Sequence, residues 1–293
     1  MPSVEINGGQ VVYEIVGDKS GIPLALTPGG RFSKDFPGVR PLAEKLAEGG
    51  IKVLLWDRPN CGASDVQFSD RWPSESHMYA DTLQQLIKHV GFGPTVIAGG
   101  SGGARASIIT AIEYPEITSR LFVWHIVGGV YSSFLLGCYY VVGNISTAKR
   151  GGMEAVIEMP EWKERIAQNP RNRERLLSIP KEEFARIMKR WLNAYVSKPG
   201  QAIPGVPDEE FARIKVPTVI VRSGENDDDH PKRTSFEVHA LIKGSRMVEP
   251  PWAEDAWEQA GLKTFQTGVP HTFDPWPESA PLIIEFSQGL VTA

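Results

Sequence analysis

Two cysteines in 293 residues, Cys61 and Cys138, leave no material for a disulfide framework and point to a reducing compartment. The N-terminus MPSVEINGGQ lacks the basic segment and apolar core of a secretory signal, so a cytoplasmic location is expected. No sign of charge dominates. Lys and Arg number 31 against 35 Asp and Glu, a formal net charge of −4 with the signs interspersed. That balance excludes the basic footprint of a nucleic-acid binder and any charged interaction tail. Internal repeats and low-complexity tracts are missing as well. One apolar stretch, LFVWHIVGGVYSSFLLGCYYVV from Leu121 to Val142, approaches the length of a membrane span. His125, the Gly128-Gly129 break, two serines and the lack of flanking basic clusters favour a buried strand running into an apolar helix or loop. Nucleic acid and membrane are thus set aside as partners, and a small-molecule substrate remains.

Short apolar runs bounded by turn residues alternate with longer amphipathic segments, the pattern of a mainly parallel central sheet with helices on both faces, an α/β fold. Strands are expected at Val11 to Val16, Pro23 to Thr27, Lys52 to Trp56, Thr95 to Ala98 and Arg120 to Val127. Helices are expected near Val39 to Ala47, Glu75 to Val90, and after Ser101. From about Gly129 to Lys215 the chain turns helical and charged, as in EWKERIAQ and KEEFARIMKRWLNAYV, with NP, IP and KPG breakers between segments. This stretch reads as an insertion. Alternation then resumes with a strand at Val216 to Arg222, a helix at Ser235 to Ile242, a strand at Arg246 to Glu249 and a helix at Pro281 to Gln288.

Residues 98 to 105 read AGGSGGAR, one serine among four glycines, placed where a strand ends and a helix begins. Ligands of parallel sheets sit beyond the carboxyl ends of strands, so location and chemistry agree on Ser101. Gly99-Gly100-Ser101-Gly102-Gly103 matches G-x-S-x-G, whose glycines permit the close strand–helix approach of a sharp turn that exposes the serine. The helix start supplies unpaired N–H groups and partial positive charge, suited to an oxyanion, with Gly102 as one donor. Two other turns follow neighbouring strands. Thr27-Pro28-Gly29-Gly30-Arg31 offers Gly30 as second donor with Arg31 as the rival, and Asp57-Arg58-Pro59-Asn60-Cys61-Gly62-Ala63-Ser64 reads as a loop-fixing turn.

PGG at 28–30, DRPNCGAS at 57–64 and GGSGG at 99–103, each on a strand end and in this order, make the chain resemble an α/β-hydrolase over nearly its whole length apart from the middle insertion. The resemblance implies a nucleophile, an acid after a later strand, a histidine near the C-terminus and a cap. Residues 1–129 and 216–293 would form the hydrolase core and 130–215 the helical cap.

A serine hydroxyl needs a base to remove its proton, and the imidazole needs a carboxylate to fix its tautomer. After the strand at Val216 to Arg222, SGENDDDHP resembles the family's acid turn with Asp227 in the acid position and Asp228 and Asp229 as alternatives. Of six histidines, His77 and His89 fall on the helix before the nucleophile strand, and His125 falls on an apolar strand and reads as a core residue. His230 and His239 belong to the acidic turn and its following helix. His271, in TGVPHTFDPW, occupies the C-terminal loop where the family places its base, and His230 is its rival. More than twenty residues separate His271 from Glu249, so either a local insertion intervenes or the last strand lies near Lys263 to Thr267.

No cofactor is expected. The histidines lack ligand spacing, the cysteines lie far apart, and the glycine turns match no nucleotide loop. Arg31, together with Trp124 and Tyr131 near the Gly128-Gly129 turn, are candidate substrate contacts, and Arg105 is a candidate for a substrate carboxylate against a helix-surface ion pair. The reading expected on these grounds is a serine hydrolase of an ester or lactone of a moderately apolar acid. Its alternatives are a carbon–carbon bond hydrolase of ring-cleavage products, a proline-iminopeptidase-like enzyme using Glu154, Glu158 or Glu161, cofactor-free oxygen chemistry, and a non-catalytic binder.

Overall fold

The computed structural model describes residues 1–290. Its first strands, β1 (Ser3–Ile6), β2 (Gly9–Val16) and β3 (Ile22–Thr27), are followed by α1 (Val39–Glu48) and β4 (Ile51–Trp56). Next come α2 (Glu75–His89), β5 (Thr95–Gly100), α3 (Gly102–Glu113) and β6 (Thr118–Trp124). The segment between β6 and the next strand is helical, with α4 (Val130–Gly137), α5 (Gly143–Val156), α6 (Pro160–Gln168), α7 (Arg171–Leu177) and α8 (Lys181–Leu192). The chain then returns through β7 (Thr218–Val221), α9 (Lys232–Leu241), β8 (Arg246–Val248), α10 (Ala256–Thr267) and α11 (Ala280–Ser287).

The eight strands form one sheet in the order β1-β2-β4-β3-β5-β6-β7-β8. The β1–β2 and β2–β4 pairs are antiparallel, and every pair from β3–β4 to β7–β8 is parallel. Parallel strands need both faces covered, which explains why every residue of central β5 is buried and reads as a continuous apolar run. Helices α1 and α11 cover one face, with Leu42, Leu46, Ile283 and Phe286 packed on Leu24, Val53 and Val96. Helices α2 and α3 cover the other, with Leu83, Ile87 and Ile108 on Ala25, Ile97 and Leu121. The α2 helix starts where the sequence has Ser74, whose hydroxyl accepts from the N–H of His77 and caps a turn that would leave donors orphaned.

Two expectations are corrected. The strand expected to reach Val127 ends at Trp124, because His125 takes φ +46° and leaves the strand direction. The alternative strand at Lys263 to Thr267 is part of helix α10. The apolar stretch from Leu121 is divided among β6, a loop and α4, and no helix among the described residues is long and apolar enough to cross a membrane.

Candidate active site

Because β3 to β7 run parallel, their carboxyl ends open on one edge of the sheet, and each end delivers one part of the site. Gly29 to Arg31 follow β3, Arg58 follows β4, Ser101 follows β5, His125 follows β6, and Asp227 with His230 follow β7. Pairing of Thr27 with Gly99 and of Gly100 with Trp124 sets the β3 and β6 ends on either side of the serine.

Ser101 has φ 56° and ψ −126°, a conformation that L-residues with a Cβ rarely adopt. Its N–H is tied to the carbonyls of Trp124 at 3.2 Å and His125 at 3.0 Å, which holds the turn. The neighbouring glycines are demanded by space. A Cβ on Gly103 would stand 2.1 Å from the carbonyl oxygen of Thr27, and one on Gly100 would stand 2.2 Å from the Trp124 indole nitrogen. These approaches let α3 begin directly beneath β3 and push the Ser101 side chain out of the turn.

Gly102 is the first residue of α3, so its N–H belongs to the helix donors that lack an intrahelical acceptor. Gly30 lies beside it: a Cβ added to Gly102 would be 3.1 Å from the Gly30 nitrogen. Both glycines share with Ser101 the wall of one small cavity of about 40 Å³. Arg31, the alternative to Gly30, turns its guanidinium onto Glu75, with Nε donating to both carboxylate oxygens at 3.1 Å.

His230 Nε2 lies 2.8 Å from Ser101 Oγ. On the far side of the ring, Nδ1 is 2.9 Å from Asp227 Oδ2 and 3.1 Å from Oδ1. The His230 backbone N–H also donates to Asp227 Oδ1 at 2.9 Å, closing a tight local turn. A carboxylate at Nδ1 selects the tautomer with hydrogen there and leaves the Nε2 lone pair to accept the serine proton. Burial by itself would raise the Asp227 carboxyl, but the charge of His230 and hydrogen bonds from its ring and backbone outweigh it and hold Asp227 below the usual carboxylate range. Asp228 is exposed, and Asp229 accepts from the Trp257 indole N–H at 3.0 Å, so Asp227 is the member of the acidic run that faces the imidazole.

His271, the expected base, stands elsewhere. It follows α10, its Nδ1 is 2.6 Å from Asp274 Oδ2, and its side chain is 18% exposed. The reason is α10 itself. Instead of leading straight from β8 into a histidine-bearing loop, the chain forms this helix, which sets Trp257 edge-on against His230 at 4.4 Å between ring centroids. The sequence signal for His230 is its spacing, three residues after Asp227 on a loop that follows a strand.

The other expected contacts are sorted by burial. Trp124 has no exposed surface and meets the ring of Trp276 edge-on at 5.0 Å, so it belongs to the core beneath the turn. Tyr131 is 61% exposed on α4 and takes no part in the cavity wall beside Ser101. Arg105 is 5% exposed, with Nε donating to Ser76 Oγ at 2.8 Å and Nη2 to the Tyr195 hydroxyl at 2.9 Å; it lines the cavity and forms no surface ion pair among the described residues. Arg58, read as part of a loop-fixing turn, does fix the β3 loop through Gly29 and Phe32 carbonyls, yet it also lines the cavity. Glu154 and Glu158 are exposed, and Glu161 accepts from Asn144 at 3.2 Å; none of the three lines the cavity. His125 is buried with its Nδ1 accepting from the Trp276 indole at 3.2 Å, and burial, reinforced by His230, pushes its pKa down to about 3.

A model of the alpha/beta hydrolase family matches residues 24–281, and the chain belongs to that family. Among curated proteins it is 25% identical over 251 residues to the human serine hydrolase BPHL, covering 83% of this chain and 76% of that protein. It is 33% identical over 120 residues to a proline iminopeptidase of Clostridium botulinum, covering 40% of this chain and 39% of the relative. Among solved structures it resembles MGS-M2, an alpha/beta hydrolase enzyme from a Medee basin deep-sea metagenome library, with TM-score 0.62, 18% identity, and coverage of 100% of this chain and 98% of the other. The chain is thus a hydrolase by family.

Proposed function

We propose that this hydrolase cleaves a carboxylic ester or lactone by way of an acyl-enzyme on Ser101. The observation that carries this reading is the continuous series Ser101 Oγ, His230 Nε2, His230 Nδ1 and Asp227 Oδ2, with 2.8 and 2.9 Å at its two junctions. His230 takes the Ser101 proton as Oγ attacks the carbonyl carbon. The negative charge that develops on the carbonyl oxygen falls to the N–H groups of Gly30 and Gly102. Collapse breaks the acyl–oxygen bond, and the imidazolium gives its proton to the departing alkoxide. A water deprotonated by His230 then attacks the acyl carbon, and the acid leaves as Ser101 recovers its proton. Asp227 stays ionised throughout and holds the ring.

Residues 130–215 act in this reading as a cap over a core of 1–129 and 216–293. Support comes from Leu136, Tyr140 and Tyr195, which reach the cavity from that segment. An aminopeptidase reading is less well supported, because a free amino terminus would meet Arg31, Arg58 and Arg105 there against a single glutamate, Glu75.

The test is covalent. A fluorophosphonate probe should label the folded chain, and Ser101→Ala should abolish both labelling and release of alcohol from a panel of acyl esters and lactones. A folded wild-type chain that neither labels nor turns over any member would favour a non-catalytic binder. Oxygen uptake persisting in Ser101→Ala would point to cofactor-free oxygen chemistry.

A further inference from the structure

The cavity beside Ser101 holds two cations without anions. Arg58 is 0% and Arg105 5% exposed, and neither forms an ion pair among the described residues. Arg58 uses only Nη2 in hydrogen bonding, to the carbonyls of Gly29 at 3.0 Å and Phe32 at 3.2 Å, and leaves Nε and Nη1 without acceptors. Arg105 uses Nε and Nη2, and leaves Nη1 without one. The single carboxylate on the cavity wall, Glu75, is already engaged by Arg31 at 3.1 Å and by Asn60 Nδ2 at 2.8 Å. Tyrosine rings lie against both guanidinium groups, Tyr79 at 4.9 Å from Arg58 and Tyr195 at 4.5 Å from Arg105, which softens the burial without neutralising it. A buried charge missing its partner, with donors missing their acceptors, is costly for a fold to keep. Guanidinium donors on a cavity wall match the lone pairs of a carboxylate.

Position tells which part of a substrate carries that carboxylate. Gly30 and Gly102 line the same cavity, whereas His230 and Asp227 do not. A leaving group must sit beside His230 to receive its proton, so the cavity on the oxyanion side receives the acyl portion. Its volume of about 40 Å³ admits only a short chain. We infer that the acyl group bears a terminal carboxylate held by Arg58 and Arg105, so that the substrate is a monoester of a short dicarboxylic acid. The assignment of the acyl side rests on the serine hydrolase reading above; the anion site does not.

Two measurements separate the two claims. The first is calorimetric titration of the Ser101→Ala chain with glutarate and with its neutral counterpart glutaramide. Glutarate should bind at least ~10-fold more tightly, and Arg105→Gln should remove most of that preference while Arg105→Lys keeps part of it. Equal binding of the two ligands to Ser101→Ala overturns the anion site, with no arginine variant needed. The second compares mono-p-nitrophenyl glutarate with p-nitrophenyl pentanoate on the wild-type chain. The carboxylate ester should have a kcat/KM at least ~10-fold higher, and a ratio of one or below overturns the acyl-side assignment. Turnover of neither ester, together with no fluorophosphonate labelling, overturns the serine hydrolase reading and with it the acyl-side assignment, while glutarate binding still decides the anion site.

Discussion

Asp227 and His230 stand three residues apart in one turn, and their side chains meet, with Nδ1 2.9 Å from Oδ2. A single loop after β7 therefore supplies both the imidazole that reaches Ser101 and the carboxylate that orients it. The arrangement assigns roles that substitution can separate.

Replacing His230 by alanine should lower kcat/KM by ~10⁴-fold or more with the fold retained, since the serine would lose the base hydrogen-bonded to it. His271→Ala should change kcat/KM by no more than about twofold, because it removes only a partly exposed pairing with Asp274. Steady-state kinetics on the two variants check this, and the reverse ranking would return the base to His271.

Asp227→Asn should cost roughly 10³- to 10⁴-fold in kcat by releasing the imidazole from its tautomer, while Asp228→Asn leaves kcat unchanged because that side chain is exposed. Equal losses in both would mean that the acidic run acts only through its summed charge.

Gly103→Ala should destabilise the fold by about 3 kcal/mol or more, or abolish soluble expression, because the new methyl would meet the Thr27 carbonyl at 2.1 Å and neither backbone can yield. Gly91→Ala has open space at φ +68° and should cost only about 1 to 2 kcal/mol of conformational strain. Urea unfolding midpoints distinguish a packing demand from a conformational one.

Stability should fall on acidification before the carboxylates titrate. Burial, then the charge of Arg105, pushes His77 down to about 4; burial, then His230, pushes His125 down to about 3. Their ordinary value is 6.5, so the unfolded chain takes up protons that the folded chain refuses, and stability declines as pH drops from about 6.5 toward 4. The loss should be on the order of a few kcal/mol. Asp227, held below its ordinary 3.8, adds a further loss only below that value. Urea melts across this range, with His77→Gln expected to remove part of the slope, provide the check.

Much of the architecture is legible along the chain. The apolar run Thr95 to Ala98 followed by GGSGG marks a strand turning into a helix, and the structure has β5 and α3 there. Turn glycines and the strand end confine the serine to one place in three dimensions, so a local pattern suffices. Trp124 and Tyr131 show where such reading fails. Both are aromatic and close in sequence to the site, but one lies under the sheet and the other faces solvent. Distance along the chain says nothing of which side of an element a ring occupies. Arg105 was left between two readings, a substrate carboxylate or a helix-surface ion pair, and only its burial against α2 and Tyr195 separates them.

By itself the sequence determined the alternation of strands and helices and the sharp turn at Ser101, because each depends on residues within a few positions of one another, and it left three aspartates, Asp227, Asp228 and Asp229, as alternatives for the acid. Only the tertiary structure decided which histidine reaches the serine and which arginines share its cavity. Those choices depend on where α10 places Trp257 against His230, and on how the ends of β3, β4 and β5 bring Arg58 and Arg105 to one wall. Packing between distant segments set both, and no local pattern encodes it.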